Sequence, residues 1–284
     1  MVGRSSGRGG RVPGSRGSRG SAGSRSSFRA GRAAPDRSRA GQEDLSHDGR
    51  KGRSPQPTVG EGRSGRRVPD RTGRAGTRDA AEEIRSTARP GHGTSAVQAF
   101  EQAVDLLQRD RASAAVASGF RAKELAPRSG AVREVLGIAL YRAERFRDAL
   151  RELQAYRRMT GRLDQNHLIA DCYRALGALA KAIDPVREAL KARLPDEVRA
   201  EAAIVGASAL ADLGRFTEAL SMLRASPSGD RLSRDFDLRV WYVTGDILER
   251  SGRPGEAAEE FQRIVRHDPG AFDAAERLAS LSRD

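Results

Sequence analysis

Apolar positions recur with helical period over the last two thirds of the chain. Residues 241–269 read WYVTGDILERSGRPGEAAEEFQRIVRHDP. Trp241, Gly245 and Leu248 fall on one side of a first helix, and Ala257, Phe261 and Ile264 on one side of a second. A Ser-Gly-Arg-Pro-Gly turn separates them, so the pattern predicts a helical hairpin in which large and small residues interlock. One such hairpin cannot bury its own apolar stripe, and more copies are required for it to stack against. They are present: anchors equivalent to Ala257 occur at Ala219, Ala182, Ala149 and Ala115, spaced 38, 37, 33 and 34 residues apart. A small residue stands twelve positions before each anchor, at Gly245, Ala207, Ala170, Gly137 and Ala103. Five hairpins are therefore predicted over residues 95–269, and the last 14 residues, AFDAAERLASLSRD, form a closing helix.

Local signals punctuate this array. Val97, Phe100, Val104 and Leu107 form the stripe of the first hairpin, closed by Pro127. Ser129 is placed to cap the second hairpin and Gly161 to stop it. Pro185 removes an intrahelical donor, so the second helix of the third hairpin either kinks there or starts at Asp184; the kink is preferred. Asp196, after Pro195, starts the fourth hairpin, and SPSGDRLSRD reads as the longest loop of the array.

The fifth hairpin resembles a tetratricopeptide repeat, whose pattern is met by Trp241, Gly245, Leu248, Ala257, Phe261 and Pro269. The other four match more loosely. The resemblance implies an all-α solenoid in which first helices line a concave groove that grips a peptide or protein segment. Projected onto this sequence, the groove positions it implies are Glu134, Tyr141 and Arg142, then His167, Asp171 and Arg174, and finally Arg239, Tyr242, Asp246 and Arg250. Ile138, Ile204, Ser208, Asp212 and Glu249 fall on the same projected face. Tyr141 and Tyr242 are the expected anchors, with Arg and Asp residues setting orientation. For each of these side chains, ordinary surface charge on an amphipathic helix is the alternative. The Lys/Asn carboxylate clamp of some members is disfavoured, because acidic residues and a histidine stand at the projected positions. That excess of carboxylates suggests a ligand with some positive charge, such as the chain's own Arg-rich segment. The Arg- and Ala-rich style resembles that of high-GC, actinobacterial-like proteins.

Composition divides the chain near residue 92. Residues 1–92 hold 18 of the 31 glycines and one aromatic residue, Phe28. Too few large apolar side chains are present to offset an ordering cost of about 1 to 2 kcal/mol per residue, so this segment is expected to be a disordered arm. It carries 21 Lys and Arg against 9 Asp and Glu, a net +12, whereas residues 93–284 carry 30 against 29. The expected domains are thus a basic arm, 1–92, and a helical repeat domain, 93–284. Its Arg-Gly steps can follow a polyanion's phosphates, so a nucleic acid held by the arm is the alternative partner to a protein. An unselected, solvated leader is the bland alternative. Lys occurs four times against 47 Arg, which points to biased coding.

Catalytic motifs are not evident. The arm's glycines do not sit between a strand and a helix, and the four histidines, His47, His92, His167 and His267, lack metal spacing. Cys172 is the sole cysteine and reads as a packed thiol. No cofactor and no metal are expected. With no signal-like segment and no long apolar run, the chain reads as a cytoplasmic, non-catalytic scaffold without membrane contact.

Overall fold

The computed structural model describes residues 74–227 and 234–282. Within them are twelve helices and no strand. The first is α1 (Arg74–Thr87). The five hairpins follow as α2 (Gly93–Gln108) with α3 (Ala112–Leu125), α4 (Gly130–Arg142) with α5 (Phe146–Thr160), and α6 (Asn166–Ala175) with α7 (Leu179–Lys191). Then come α8 (Asp196–Asp212) with α9 (Phe216–Arg224), α10 (Asp235–Arg250) with α11 (Pro254–His267), and the closing helix α12 (Ala274–Leu281). First helices pack serially, α2 on α4, α4 on α6, α6 on α8 and α8 on α10, and each second helix wedges between its own first helix and the next. Second helices make no comparable pairs with one another, so the row of first helices forms the tighter, inner face.

Each anchor alanine, Ala115, Ala149, Ala182, Ala219 and Ala257, is completely buried. The small residue twelve positions earlier lets the helices of a hairpin close on each other. A Cβ on Gly137 would stand 2.7 Å from Leu153 Cδ2, and one on Gly245 would stand 2.9 Å from Phe261 Cε1. Glycine is required at both by space, not by backbone angle. The turns within hairpins share a second device. Seven residues after each small residue stands a left-handed residue, Asp110, Glu144, Gly177, Gly214 or Gly252. The next residue's N–H then reaches back to a helix carbonyl, as in Arg145 to Leu140 at 2.8 Å and Ala178 to Tyr173 at 2.8 Å. Glycine takes this conformation without strain, whereas Asp110 and Glu144 bear a cost of about 1 kcal/mol.

Local expectations fare well where they rest on capping chemistry. Ser129 Oγ accepts the N–H of Val132 and starts α4, and Gly161 ends α5 with φ of 69°. Asp196 opens α8, with Glu197 adding negative charge to its first turn. α7 runs through Pro185 as one helix, which excludes a start at Asp184. Most of the expected long loop, residues 228–233, lies outside the described residues.

Helical structure begins before residue 92. Residues 74–87 form α1, with Ala81 and Ile84 buried in a core cluster that includes Val97, Phe100, Val104, Leu125 and Val132. The apolar pair sits three residues apart on one face of α1, a local pattern that averaging over 92 residues hides. Residues 1–73 of the expected arm lie outside the described residues.

Gly245→Val is expected to lower unfolding free energy by about 1–3 kcal/mol through overpacking against Phe261, measured by urea denaturation of the full chain. An unchanged midpoint would mean that the close approach at Gly245 does not constrain the fifth hairpin.

Candidate functional site

The inner face is built from rows of side chains, set by the position of each first helix's small residue. Three residues before it stand Phe100, Glu134, His167, Ile204 and Tyr242; one residue after it stand Val104, Ile138, Asp171, Ser208 and Asp246. The rows are apolar in α2 and polar in α10, so the face changes character along the stack.

From the second hairpin onward, Asp171 and Asp246 of these rows join polar side chains that stand four or five residues after the small residue, Tyr141, Arg174, Asp212 and Arg250, in bonds that pass between neighbouring first helices. Tyr141 Oη donates to the Asp171 carboxylate, and Arg174 Nε donates to the other oxygen of Asp171 at 2.8 Å. Arg174 also faces Asp212 at 3.8 Å, and Asp212 accepts from Arg250 at 2.9 Å. Arg250 faces Asp246 at 3.6 Å. Both terminal nitrogens of Arg277, from α12, donate to Asp246 at 3.1 Å, and one of them donates to Glu249 at 2.7 Å. Tyr242 Oη donates to Asp273 at 2.7 Å. The result is a polar ladder from α4 to α12.

Most of the expected groove residues are engaged with other groups of the chain. Tyr141 is 5% exposed with its hydroxyl engaged and its ring edge against Phe146, so as it stands it offers a ligand little surface. Tyr242 is half-buried, its ring packed near Phe261 and Phe272 with the Arg277 guanidinium over it. Glu134 is buried and accepts from Gln165 at 2.8 Å. Arg142 donates to the Leu107 carbonyl at 3.0 Å, tying the second hairpin to the first. Arg239 pairs with Glu201 of α8, and His167 is half-buried on α6. The ladder thus brings together Tyr141, Asp171, Arg174, Tyr242, Asp246 and Arg250, while the bonds of Glu134, Arg142 and Arg239 described here run to Gln165, Leu107 and Glu201. The carboxylates that suggested a cationic ligand already face Arg174, Arg250 and Arg277.

Arg277 and Asp273 escaped the sequence reading, since nothing local marks a contact 31 residues back along the chain. The same holds for Glu152, which is buried between Lys123 and Arg133 at 2.6 Å from each and ties α5 to α3 and α4. A shallow open depression lined by Glu259, Arg263, Arg266 and His267 lies on α11, a second helix, away from the ladder. Among the described residues, no group of three or more His, Cys, Asp or Glu could hold a metal, and no helix is long and apolar enough to cross a membrane.

Burial sets the chemistry of two groups here. The Cys172 thiol is pushed up to about 12 by burial, with the charge of Asp171 adding to it, and is fully covered. It is a packing group and not a nucleophile. Burial also pushes the Tyr242 hydroxyl up to about 12, and its bond to Asp273 adds to the effect, while Arg277 opposes it. Burial works against the charge of Arg277, but its bonds to Glu249 and Tyr242 and the charges of Asp246 and Glu249 outweigh that. Its guanidinium therefore holds its proton more tightly than an ordinary arginine.

A raised hydroxyl pKa favours the fold while the unfolded chain also keeps its proton. The contribution of Tyr242 is therefore complete below pH 10 and lost as pH rises to about 12. Full-length Tyr242→Phe is expected to lose less stability than wild type between pH 10 and 12 in chemical denaturation. Parallel curves would mean that Tyr242 ionises as freely in the fold as in the unfolded chain.

Comparison with known proteins fits this architecture. The family described as "Tetratricopeptide repeat" matches residues 134–198 and 204–272. No curated protein matches the chain. Among solved structures, a thermophilic TPR protein of Thermus thermophilus is similar at TM-score 0.51 and 18% identity, over 66% of this chain and 100% of that one. PilF of Pseudomonas aeruginosa is similar at TM-score 0.51 and 13% identity, over 72% and 90%. The apo quorum sensor NprR of B. thuringiensis is similar at TM-score 0.56 and 12% identity, over 73% and 62%. At these identities the likeness concerns the fold. Residues 134–198 and 204–272 thus match the tetratricopeptide repeat, within a TPR-like α-solenoid.

Proposed function

We propose that this protein is a non-catalytic cytoplasmic scaffold whose inner face binds an extended or helical segment of another protein. Tetratricopeptide repeats as a class mediate protein–protein interaction, and the observation that carries the reading here is the ladder. It sets arginines and carboxylates alternately along successive first helices, where a bound segment can exchange partners with them. Backbone carbonyls or carboxylates of the ligand take Arg174 and Arg250, and its amides or cations take Asp212 and Asp246. The rungs are partly exposed, with Arg174 at 22% and Arg250 at 39% of side-chain surface. Their carboxylate partners are more covered, Asp171 at 11% and Asp212 at 17%, so a ligand group replaces each bond that it opens.

A second reading is favoured by charge. With +12 of the net +13 in residues 1–92, that segment can hold a nucleic acid while the helices hold a protein. Its affinity would then fall about 10³- to 10⁵-fold between 50 and 200 mM salt for 6 to 10 phosphate contacts.

The test compares full-length wild type with full-length Arg174→Ala/Arg250→Ala as baits in lysate with and without nuclease, after circular dichroism shows equal helix content. Proteins retained by wild type are expected to be depleted about tenfold or more on the variant. Equal retention by both baits contradicts the ladder as the recognition element, and retention that vanishes with nuclease supports the nucleic-acid reading instead.

A further inference from the structure

We infer that the inner face of the first two hairpins is a helix-binding site, occupied here by the chain's own α1. Its partner in trans is an amphipathic helix bearing a carboxylate directly before a branched apolar residue. This deepens the proposed protein-binding role and rests on it, adding an apolar subsite beyond the end of the polar ladder.

The position of α1 is the first ground. It packs on α2 and α4, two successive first helices whose other side holds α3. A helix touching both lies on the inner face. The rows of α2 there are apolar, with Phe100 and Val104 where α10 has Tyr242 and Asp246, and both are 9% exposed or less. Ile84 and Ala81 share their cluster. The second ground is polar. Glu83, next to Ile84, takes the N–H of Gly130 at 2.6 Å and of Ala131 at 3.2 Å, and accepts from Ser129 Oγ at 3.0 Å. The first-turn amides of α4 are thereby satisfied by a carboxylate from another helix, as a ligand's would satisfy them. Glu83 and Ile84 together define what the site accepts: one anion at the start of α4 and one branched side chain beside it.

The apolar hold on α1 is small. It buries two of its described residues, whereas α2 buries seven and α4 nine. Its joint to α2 contains Pro90 and a left-handed Gly91, φ 77°, with no atom near the missing side chain. A 14-residue helix with one large buried side chain among its described residues is marginal alone, so α1 unwinds when displaced. Tethering makes it a competitor at high effective concentration, and a partner helix must exceed that competition to bind.

The probe is a fluorescein-labelled peptide of residues 74–92, titrated by anisotropy into the full-length protein and its Ile84→Asp variant. Weakening the resident helix is expected to tighten peptide binding about tenfold or more, while a peptide carrying Ile84→Asp binds neither protein. A variant of unchanged helix content that binds no tighter than wild type overturns the proposal. Because Ile84→Asp can disturb the first hairpin, hydrogen exchange on wild type supplies an independent test. Amides of α1 are expected to exchange about tenfold or more faster than those in the middle of α2 and α4, and equal rates overturn the proposal. A concentration-dependent dimer that is lost in Ile84→Asp, with no peptide bound, assigns the site to a second copy and overturns the partner helix. Neither measurement uses Arg174 or Arg250 or any lysate protein, so a failed ladder leaves these results distinct.

Discussion

Two helices approach to within side-chain contact of each other's backbone only where one of them presents almost nothing. Gly137 beneath Leu153 and Gly245 beneath Phe261 are such places, and the completely buried anchor alanines repeat the condition on the second helix of every hairpin. The close approach fixes how far apart first and second helices stand, and with it how each second helix wedges against the next first helix. Stacking through these wedges draws the first helices together along the inner face. The spacing of the candidate site is therefore a consequence of small residues that lie outside it.

Once the first helices are that close, polar side chains on their inner rows must find partners or remain desolvated. The ladder is the solution this sequence adopts. Tyr141, Asp171, Arg174, Asp212, Arg250, Asp246 and Arg277 pass hydrogen bonds and ion pairs from hairpin to hairpin, with the buried end at Tyr141 and the more exposed end at Glu249. The ladder serves structure and recognition together. Its buried rung helps hold the stack in register, and its exposed rungs can be traded for those of a ligand. At the opposite end the same face is apolar and covered by α1, so the two ends offer different chemistry to a bound segment.

How much of this was legible in the sequence follows from the range over which each feature acts. The anchors, the small residues twelve positions before them, the cap at Ser129 and the stop at Gly161 are governed by neighbours within a few turns, and all were readable. Asp110 and Glu144 were not read as left-handed, because Gly177, Gly214 and Gly252 announce that geometry by residue type and the other two do not. α1 was lost inside a segment whose average composition forbids a core, although a single turn of AAEEI carries the pattern. Pairings between distant side chains, such as Arg277 with Asp246 or Glu83 with Gly130, leave no local trace. The rows of the inner face were thus predictable, whereas the mutual engagement of their side chains was not.

The most direct test of the account is a double-mutant cycle on the buried rung, using Tyr141→Phe and Asp171→Asn in the full chain, with unfolding free energies from urea titration. The ladder predicts a coupling of about 0.5 kcal/mol or more, within the range found for residues sharing one hydrogen-bond network. Additivity within about 0.3 kcal/mol would show that Tyr141 and Asp171 act independently, and the inner face would then be a set of separate surface charges without a ladder.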